Sequence, residues 1–175
     1  MEYSILPVDA SHADELSALA KNIYVEYYLH LWKEGGAEWY MHSKAYHPDT
    51  IQTEMEDPNN LHFIVYENGK PQGYLKLRID SILQGCESTN AFEIERIYLH
   101  RSAAGKGLGK KLMQLSEDIA RQHHKQMIFL KAMDTSFDAI AFYEKMGYTK
   151  CGTYILPFEL IKDEYRGMVI LNKYL

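Results

Sequence analysis

The sequence has few of the features that would place it in a specialised class of protein. Only two of its 175 residues are cysteine, Cys86 and Cys151; they could pair, but in a cytoplasmic chain we expect thiols. No apolar run approaches the ~20 residues of a membrane helix. The residues Met1-Glu-Tyr-Ser show no basic or apolar region typical of a secretory signal. We therefore expect a cytoplasmic protein that does not enter a membrane.

The sequence also lacks an excess of basic charge and a metal-binding pattern. The 24 acidic and 19 basic residues give a net charge of −5 without a basic stripe, so a nucleic-acid partner is not expected. Neither cysteine falls at a metal-ligand spacing. The histidines His42, His47 and His62 have no partner spacing that marks a site. We expect no metal.

The composition is that of an ordinary folded domain, 46% hydrophobic and 25% charged, and predicts one domain over residues 1–175 with a sizeable core. The charge is uneven, because residues 1–60 contain eleven acids and three bases, a net charge of −8, whereas residues 61–175 carry +3. A basic half suits a polyanionic ligand, and an acidic half could attract a cation. Alternatively, the acidic residues only keep the helices solvated.

Residues 93–122 read as a strand, a glycine loop and a helix. Glu93–Leu99 is apolar and β-branched, glycines follow at positions 105, 107 and 109, and leucine or isoleucine then recurs at helical spacing at 108, 112, 115 and 119. Glycines and the first turn of a helix present backbone N–H groups to an anion, so a phosphate-bearing ligand is predicted. The spacing fits neither a Walker P-loop nor a dinucleotide fingerprint, which would need a small residue at Lys110.

The rest of the chain supplies alternating strands and helices. We predict an Asn68-Gly69 hairpin turn, a break of the first helix near Gly35-Gly36, and loops over Trp39–Pro48 and Asp80–Thr89. The predicted strands are 3–7, 61–66, 73–79, 92–99, 127–131, 148–152 and 167–171. The predicted helices are one carrying an apolar stripe over 16–27, then 51–57, 108–122 and 138–146.

Two motifs resemble the GNAT superfamily of N-acetyltransferases. Ala104-Gly-Lys-Gly-Leu-Gly109 is similar to the family's coenzyme loop, although Ala104 replaces its usual Gln or Arg, and Ala139-Ile-Ala-Phe-Tyr-Glu-Lys-Met-Gly-Tyr148 is similar to its helix and turn near the coenzyme thiol. The resemblance implies an α/β (α+β) GNAT fold. In that fold a mixed, mostly antiparallel sheet of about seven strands is flanked by helices and splayed between the strands at 92–99 and 127–131. It also implies acetyl-CoA as cosubstrate.

The resemblance implies a coenzyme site residue by residue. The main chain of Ile97, Tyr98 and Leu99 would pair with the pantetheine amides. The pyrophosphate would be held by the loop residues Ala104, Gly105, Lys106, Gly107, Leu108, Gly109 and Lys110. The pantetheine or adenosine end would contact Ser136, which stands where relatives often have asparagine, together with Asp138 and Lys145.

The resemblance also suggests catalytic groups. Tyr143 occupies the family's tyrosine position beside the coenzyme sulfur and would be the general acid, unless it is only a core tyrosine. Glu93 and Glu95 share a face if the strand is regular, and either could accept the amine's proton, usually through water. Glu93 matches the base of some histone-acetylating relatives. The alternatives are ion pairs with Lys76, Arg78 or Arg96, and water as the base. A backbone N–H of Tyr98 or Leu99 would bind the thioester oxygen.

Bacterial spermidine/spermine acetyltransferases are the relatives that the chain resembles most, which implies a small cationic amine as acceptor. In the family, the segment after the first strand lines the acceptor pocket. Its candidate contacts, each of which could instead be a packing residue, are Tyr24, Tyr27, Tyr28, Trp32, Trp39, Tyr40 and Tyr46. The acids that could attract the amine are Glu34, Glu38, Glu54 and Glu56. A protein N-terminus or lysine as acceptor and a catalytically silent acyl-CoA sensor stay open, and so does a homodimer.

Overall fold

A seven-stranded sheet forms the centre of the protein in the computed structural model, which describes residues 2–83 and 90–175. The strand order is β1-β2-β3-β4-β5-β7-β6, and every pair is antiparallel except β4 with β5. The strands are β1 Tyr3–Val8, β2 Asn60–Glu67, β3 Lys70–Ser81, β4 Ala91–Leu99, β5 Met127–Met133, β6 Thr149–Ile155 and β7 Gly167–Tyr174. The mixed, mostly antiparallel sheet predicted from the resemblance is confirmed.

The helices are α1 Ala13–Tyr27, α2 Gly36–Trp39, α3 Pro48–Glu56, α4 Leu108–Gln122 and α5 Phe137–Lys145. Gly147 stands just past α5, with a left-handed φ of 94°. Across the described residues, no helix combines the length and the apolar character needed to cross a membrane.

The segment between α1 and α3 differs from the prediction. The first helix ends at Tyr27, because Tyr28 leaves the helical region with φ −124°, and Gly35 with φ 76° precedes α2 instead of ending α1. Residues Tyr40–Lys44 form a π-helical turn, so the predicted loop from Trp39 to Pro48 is largely helical. The buried side chains Met41 and Tyr46 anchor this segment on the core, which explains why it is ordered as helix.

The predicted loop from Asp80 to Thr89 begins later than expected, because β3 continues to Ser81. Its residues 84–89, and with them Cys86, lie outside the described residues. Cys151 is exposed on β6.

The two faces of the sheet bury two different cores. Helix α4 packs its apolar stripe against one face, where Leu108 and Leu112 meet Leu75 and Phe92. Helices α1 and α3 cover the other face, where Leu16 and Ile51 join a core rich in tyrosine. Side chains of successive strand residues point to opposite faces, so the alternation of apolar residues along β2 and β3 supplies both cores.

Strands β4 and β5 are paired at one end only. Their paired residues run from Ala91 opposite Met127 to Ile94 opposite Leu130, after which β4 continues to Leu99 and β5 to Met133. Strand β4 also has a bulge, because Ile94 pairs with Leu77 and Arg96 with Lys76, so Glu95 has no partner on β3. The splay predicted from the resemblance is confirmed at this point.

A substitution at Gly73 tests how closely β3 packs against Tyr98 and Leu99 of β4. A Cβ at Gly73 would lie 2.4 Å from Leu99 Cδ2 and 2.6 Å from the Tyr98 carbonyl oxygen. We therefore expect Gly73→Ala to lower the free energy of unfolding by about 1–3 kcal/mol. The control is Gly152→Ala, where the nearest atom is Ile170 Cδ1 at 3.4 Å, and we expect a change within about 1 kcal/mol. Urea denaturation of both variants measures the difference, and equal stabilities would contradict the prediction.

Candidate active site

A cavity of about 340 Å³ opens where β4 and β5 part. One wall comes from β4, whose residues Glu95, Ile97, Tyr98 and Leu99 line it, and the opposite wall from Lys131, Ala132 and Met133 of β5. Gly109 of α4 and Ser136, Ala139, Phe142 and Tyr143 in and beside α5 also line it, as do several aromatic residues of the α1–α3 segment. The cavity therefore joins the glycine loop, the outer half of β4 and the Ala139–Tyr148 motif.

The glycine loop has the geometry of an anion site. Gly105 and Gly107 adopt left-handed φ values of 74° and 79°, and no atom of residues 2–83 or 90–175 lies within 4 Å of a Cβ built at either position. Gly107 is the residue before α4, so the first-turn N–H groups that follow it have no acceptor inside the helix. Gly109 lies beside the Phe142 ring, and a Cβ built at Gly109 would be 3.4 Å from Phe142 Cζ. These positions can present backbone donors to a phosphate group.

The side chains around this loop are less uniform than the sequence suggests. Lys110 is exposed at the start of α4, whereas Lys106 contacts Glu67 Oε1 at 3.2 Å and lies over the Tyr3 ring. The Ala104 N–H already donates to the Arg101 carbonyl, at 3.2 Å. Asp138 and Lys145 are exposed on α5 and do not line the cavity, unlike Ser136.

Tyr143 lines the cavity between the glycine loop and β4. Burial raises the pKa of its hydroxyl to about 12, so the group is protonated at neutral pH and can donate a proton. Tyr148 of the same motif is different, because it is buried in the core and its hydroxyl donates to Glu117 Oε1 at 3.3 Å. The two tyrosines of the motif thus have separate surroundings.

The two carboxylates of β4 also have separate surroundings. Glu95 lines the cavity, with Oε2 2.5 Å from Lys76 Nζ. Glu93 is buried outside the cavity lining; its Oε2 accepts from the Ser81 hydroxyl at 2.8 Å and lies 3.8 Å from Arg78. The bulge at Glu95 breaks the regular strand that the prediction assumed, and of the two carboxylates only Glu95 reaches the cavity among the described lining residues.

Glu95 belongs to a buried ionic cluster with Lys76, Glu54 and Arg96. Lys76 is only 4% exposed and contacts both Glu95 and Glu54, the latter at 3.2 Å. Arg96 donates to both carboxylate oxygens of Glu54, at 2.8 and 3.1 Å. Although burial opposes it, Arg96 and Lys76 hold the pKa of Glu54 below its ordinary value. His62 is neutral beside this cluster, because burial and then Lys76 lower its pKa to about 4.

Aromatic rings line the half of the cavity beyond Glu95. Of the seven aromatic residues predicted there, five line the cavity: Tyr24, Tyr27, Tyr28, Trp32 and Tyr40. Trp39 and Tyr46 are not in its lining; Tyr46 is instead a fully buried core residue. Ring centroids are 4.9 Å apart for Tyr24 and Tyr28 and 5.0 Å apart for Trp32 and Tyr40, so the rings pack on one another as well as line the cavity.

The segment between β6 and β7 closes this half of the cavity. That it lines a site was not predicted from the sequence. Leu156, Phe158 and Ile161 line it, and the Phe158 ring lies 5.7 Å from that of Tyr40. Backbone hydrogen bonds hold the segment in place: the Lys33 N–H donates to the Leu160 carbonyl at 2.8 Å, and the Lys162 N–H to that of Leu31 at 2.9 Å. Three large apolar residues in a segment between strands were the available signal.

Comparison with known proteins agrees with this geometry. The sequence model of the Acetyltransferase (GNAT) family matches residues 22–148. An uncharacterized N-acetyltransferase in the pepI 3' region of Lactobacillus delbrueckii subsp. lactis is 29% identical over 130 residues, which are 74% of this chain and 73% of that protein.

Two solved structures have the same fold over essentially their whole length. PaiA N-acetyltransferase from Thermoplasma acidophilum, solved in complex with coenzyme A, superposes with a TM-score of 0.79 at 18% identity and full coverage of both chains. The putative acetyltransferase yncA from Salmonella typhimurium, solved with acetyl-CoA, gives a TM-score of 0.70 at 17% identity, covering 100% of this chain and 95% of that one. Since the family's sequence model spans well over half of the residues, this chain belongs to the acetyltransferase (GNAT) family.

Proposed function

We propose that residues 1–175 form one acetyl-CoA-dependent N-acetyltransferase domain that transfers acetyl to a primary amine by direct attack in a ternary complex. The observation that carries the proposal is the single cavity whose lining contains Gly109 at the glycine loop, Tyr143 and Glu95. An anion site, a protonated hydroxyl and a carboxylate are the three groups that such a transfer uses. Coenzyme A and acetyl-CoA in the structural relatives support the choice of cosubstrate.

In this proposal the coenzyme lies along the parted strand. The backbone N–H groups at the start of α4 hold the pyrophosphate, with Lys106 and Lys110 adding charge. The segment Ile97–Leu99 has no neighbour on β5, so its main chain can pair with the pantetheine amides. The Tyr27 hydroxyl already donates to the Leu99 carbonyl at 3.0 Å, which leaves that oxygen one further acceptor position. Ser136, Asp138 and Lys145 stay predicted contacts.

The chain's own groups then manage the charges of the reaction. Glu95 accepts a proton from the acceptor ammonium, directly or through a water, and the free amine attacks the thioester carbon. The N–H of Tyr98 or Leu99 holds the oxygen as it gains negative charge. When the C–S bond breaks, Tyr143 gives its proton to the departing thiolate, and the acceptor nitrogen loses its second proton, directly or through a water, to the Tyr143 oxygen, which restores the hydroxyl. Glu93, which lies outside the cavity lining, has no direct part in this scheme.

The acceptor in this proposal is a small cationic amine, and spermidine or spermine is the specific candidate from the resemblance. The electrostatic argument for a polyamine is weaker in the structure than in the sequence. Glu34, Glu38 and Glu56 are absent from the described cavity lining, and Glu54 is engaged by Arg96 and Lys76. A protein amine and a silent acyl-CoA sensor are the alternatives, and release of coenzyme A with a panel of amines separates the three. The cytoplasmic location and the homodimer stay predictions.

Coenzyme binding is tested at Gly107. We expect Gly107→Glu to abolish binding of coenzyme A, because the side chain fills the anion site and repels the pyrophosphate. Gly35→Glu is the matched control, since Gly35 also has a left-handed φ, of 76°, and precedes a helix, and no atom of the described residues lies within 4 Å of a Cβ built there. It should bind like the wild type in a calorimetric titration. If the wild type fails to bind at millimolar coenzyme A, the assignment is wrong.

The general acid is tested at Tyr143. We expect Tyr143→Phe to lower kcat by about 100-fold with little change in the KM for acetyl-CoA, because the hydroxyl acts on the departing sulfur. Tyr148→Phe should leave kcat unchanged, since that hydroxyl contacts Glu117 in the core. With a pKa of about 12, Tyr143 keeps its proton up to strongly alkaline pH, so it should add no alkaline limb below pH 10. Wild-type kcat in Tyr143→Phe, with chemistry limiting, would show that the thiolate leaves unaided.

The base is tested by a pair of variants. We expect Glu95→Gln to lower kcat/KM by about 100-fold and to remove the acid limb of its pH profile, because the amide cannot accept the proton. Glu93→Gln keeps a similar volume and a partner for Ser81 outside the cavity lining, and its profile should keep the wild-type acid limb. Steady-state kinetics from pH 5 to 9 make the comparison. A reversed result would move the base to Glu93.

A further inference from the structure

The acceptor half of the cavity is lined by aromatic rings with very little charge. Seven rings from four parts of the chain surround it: Tyr24, Tyr27, Tyr28, Trp32, Tyr40, Tyr98 and Phe158. Burial raises the pKa of the Tyr24, Tyr28 and Tyr98 hydroxyls, so these phenols are neutral under ordinary conditions. Such walls favour an apolar body and can face one cation with their ring electrons.

The charged residues of the cavity lining can pair with one ammonium group of an acceptor. Among the described residues that line the cavity, Glu95 is the one carboxylate and Lys131 the one cation. Glu95 is shared with the buried Lys76, 2.5 Å away, which offsets much of its negative charge. Lys131 lies over the Tyr154 ring, with Nζ 4.4 Å from the centroid, and adds positive charge at the β5 wall.

A second ammonium on the acceptor would therefore lose its water without gaining a carboxylate. Burying an unpaired charge is costly, and the attraction of aromatic faces only partly replaces a full ion pair. A monoamine avoids this cost, because its one ammonium meets Glu95 and the rest of the molecule contacts the rings.

We propose that the acceptor is a primary monoamine with an apolar body, whose ammonium group meets Glu95 while its hydrocarbon portion packs against the aromatic rings. The inference rests on the acetyltransferase function proposed above and narrows its substrate class from cationic amines in general. It favours monoamines over spermidine and spermine.

A matched set of amines tests this with the wild-type protein and acetyl-CoA. Hexylamine and 1,6-diaminohexane have the same carbon chain and differ by one ammonium; spermidine adds a third nitrogen. The rate is measured by the release of the coenzyme A thiol. We expect kcat/KM to be at least tenfold higher for hexylamine than for 1,6-diaminohexane, and no higher for spermidine than for the diamine. An equal or higher value for the diamine or for spermidine would overturn the proposal.

A binding measurement separates this proposal from the acetyltransferase function. Hexylamine and 1,6-diaminohexane are titrated into the wild-type protein saturated with coenzyme A, in a calorimeter. Tighter binding of hexylamine supports the acceptor class even if no amine is turned over, a result that would count only against catalysis. Acetylation of every amine without preference would keep the enzyme function and overturn the acceptor class.

Lys131 and Phe158 supply variants of the wall itself. Lys131→Glu places a second carboxylate in the lining and should move the kcat/KM ratio at least tenfold toward the diamine, whereas Lys131→Met removes the cation alone and should move it less. Phe158→Ala should raise the KM for hexylamine, with Tyr174→Ala as the control because Tyr174 is an exposed aromatic at the end of β7 that the cavity lining does not include. An unchanged ratio in Lys131→Glu would contradict the charge argument.

Discussion

The parting of β4 from β5 is the constraint on which the site depends. Four residue pairs hold the two strands together, and beyond Ile94 and Leu130 the backbone of β4 is no longer paired with β5, nor with another described strand on that side. Unpaired backbone groups in a protein interior are costly, so this stretch is stable only because it faces a cavity that water or a ligand can fill. Strand β3 still pairs with Ile97, Tyr98 and Leu99, which keeps the opened strand in place. The gap therefore follows from the strand pairing of the sheet.

The bulge at Glu95 decides which side chains meet the gap. In a regular strand Glu95, Ile97 and Leu99 would share a face, but in the structure Ile97 and Leu99 pack into the core beside α4, whereas Glu95 contacts Lys76. The cluster of Glu54, Lys76 and Arg96 then fixes that carboxylate from α3 and β3. Removing one member of such a buried set typically costs about 3–5 kcal/mol, because the remaining charge is left unpaired. Stability and the position of Glu95 are thus coupled through the same contacts.

The parts of the fold that follow from local pattern were predictable. The seven strands and the four predicted helices occur in the predicted order, and the Asn68-Gly69 turn and the glycine loop before α4 are correct, because each rests on hydrophobic period or on a residue with special backbone freedom. The short helix α2 was not predicted. The π-helical turn at Tyr40–Lys44 and the bulge at Glu95 were not predictable, since both depend on packing against distant residues. The same reason hid the segment around Phe158, which acquires its place only through hydrogen bonds to the chain near Leu31 and Lys33. Five of seven aromatic residues lie at the cavity, but the sequence could not separate them from Tyr46 of the core.

The acidic first 60 residues show why a charge count does not identify a ligand. Several of these acids bind the rest of the chain: Glu15 accepts from the Tyr66 hydroxyl at 3.2 Å, Glu26 from the Arg101 N–H at 2.8 Å, and Glu54 from Arg96. Residues 1–60, with a net charge of −8, thus contact residues 61–175, with a net charge of +3. Part of the negative charge of the first segment is therefore neutralised by contacts within the protein. Within the described part of the chain, what remains at the cavity is one carboxylate among aromatic rings. The acceptor's charge should therefore be inferred from the lining of the cavity and not from the composition of the segment that builds it.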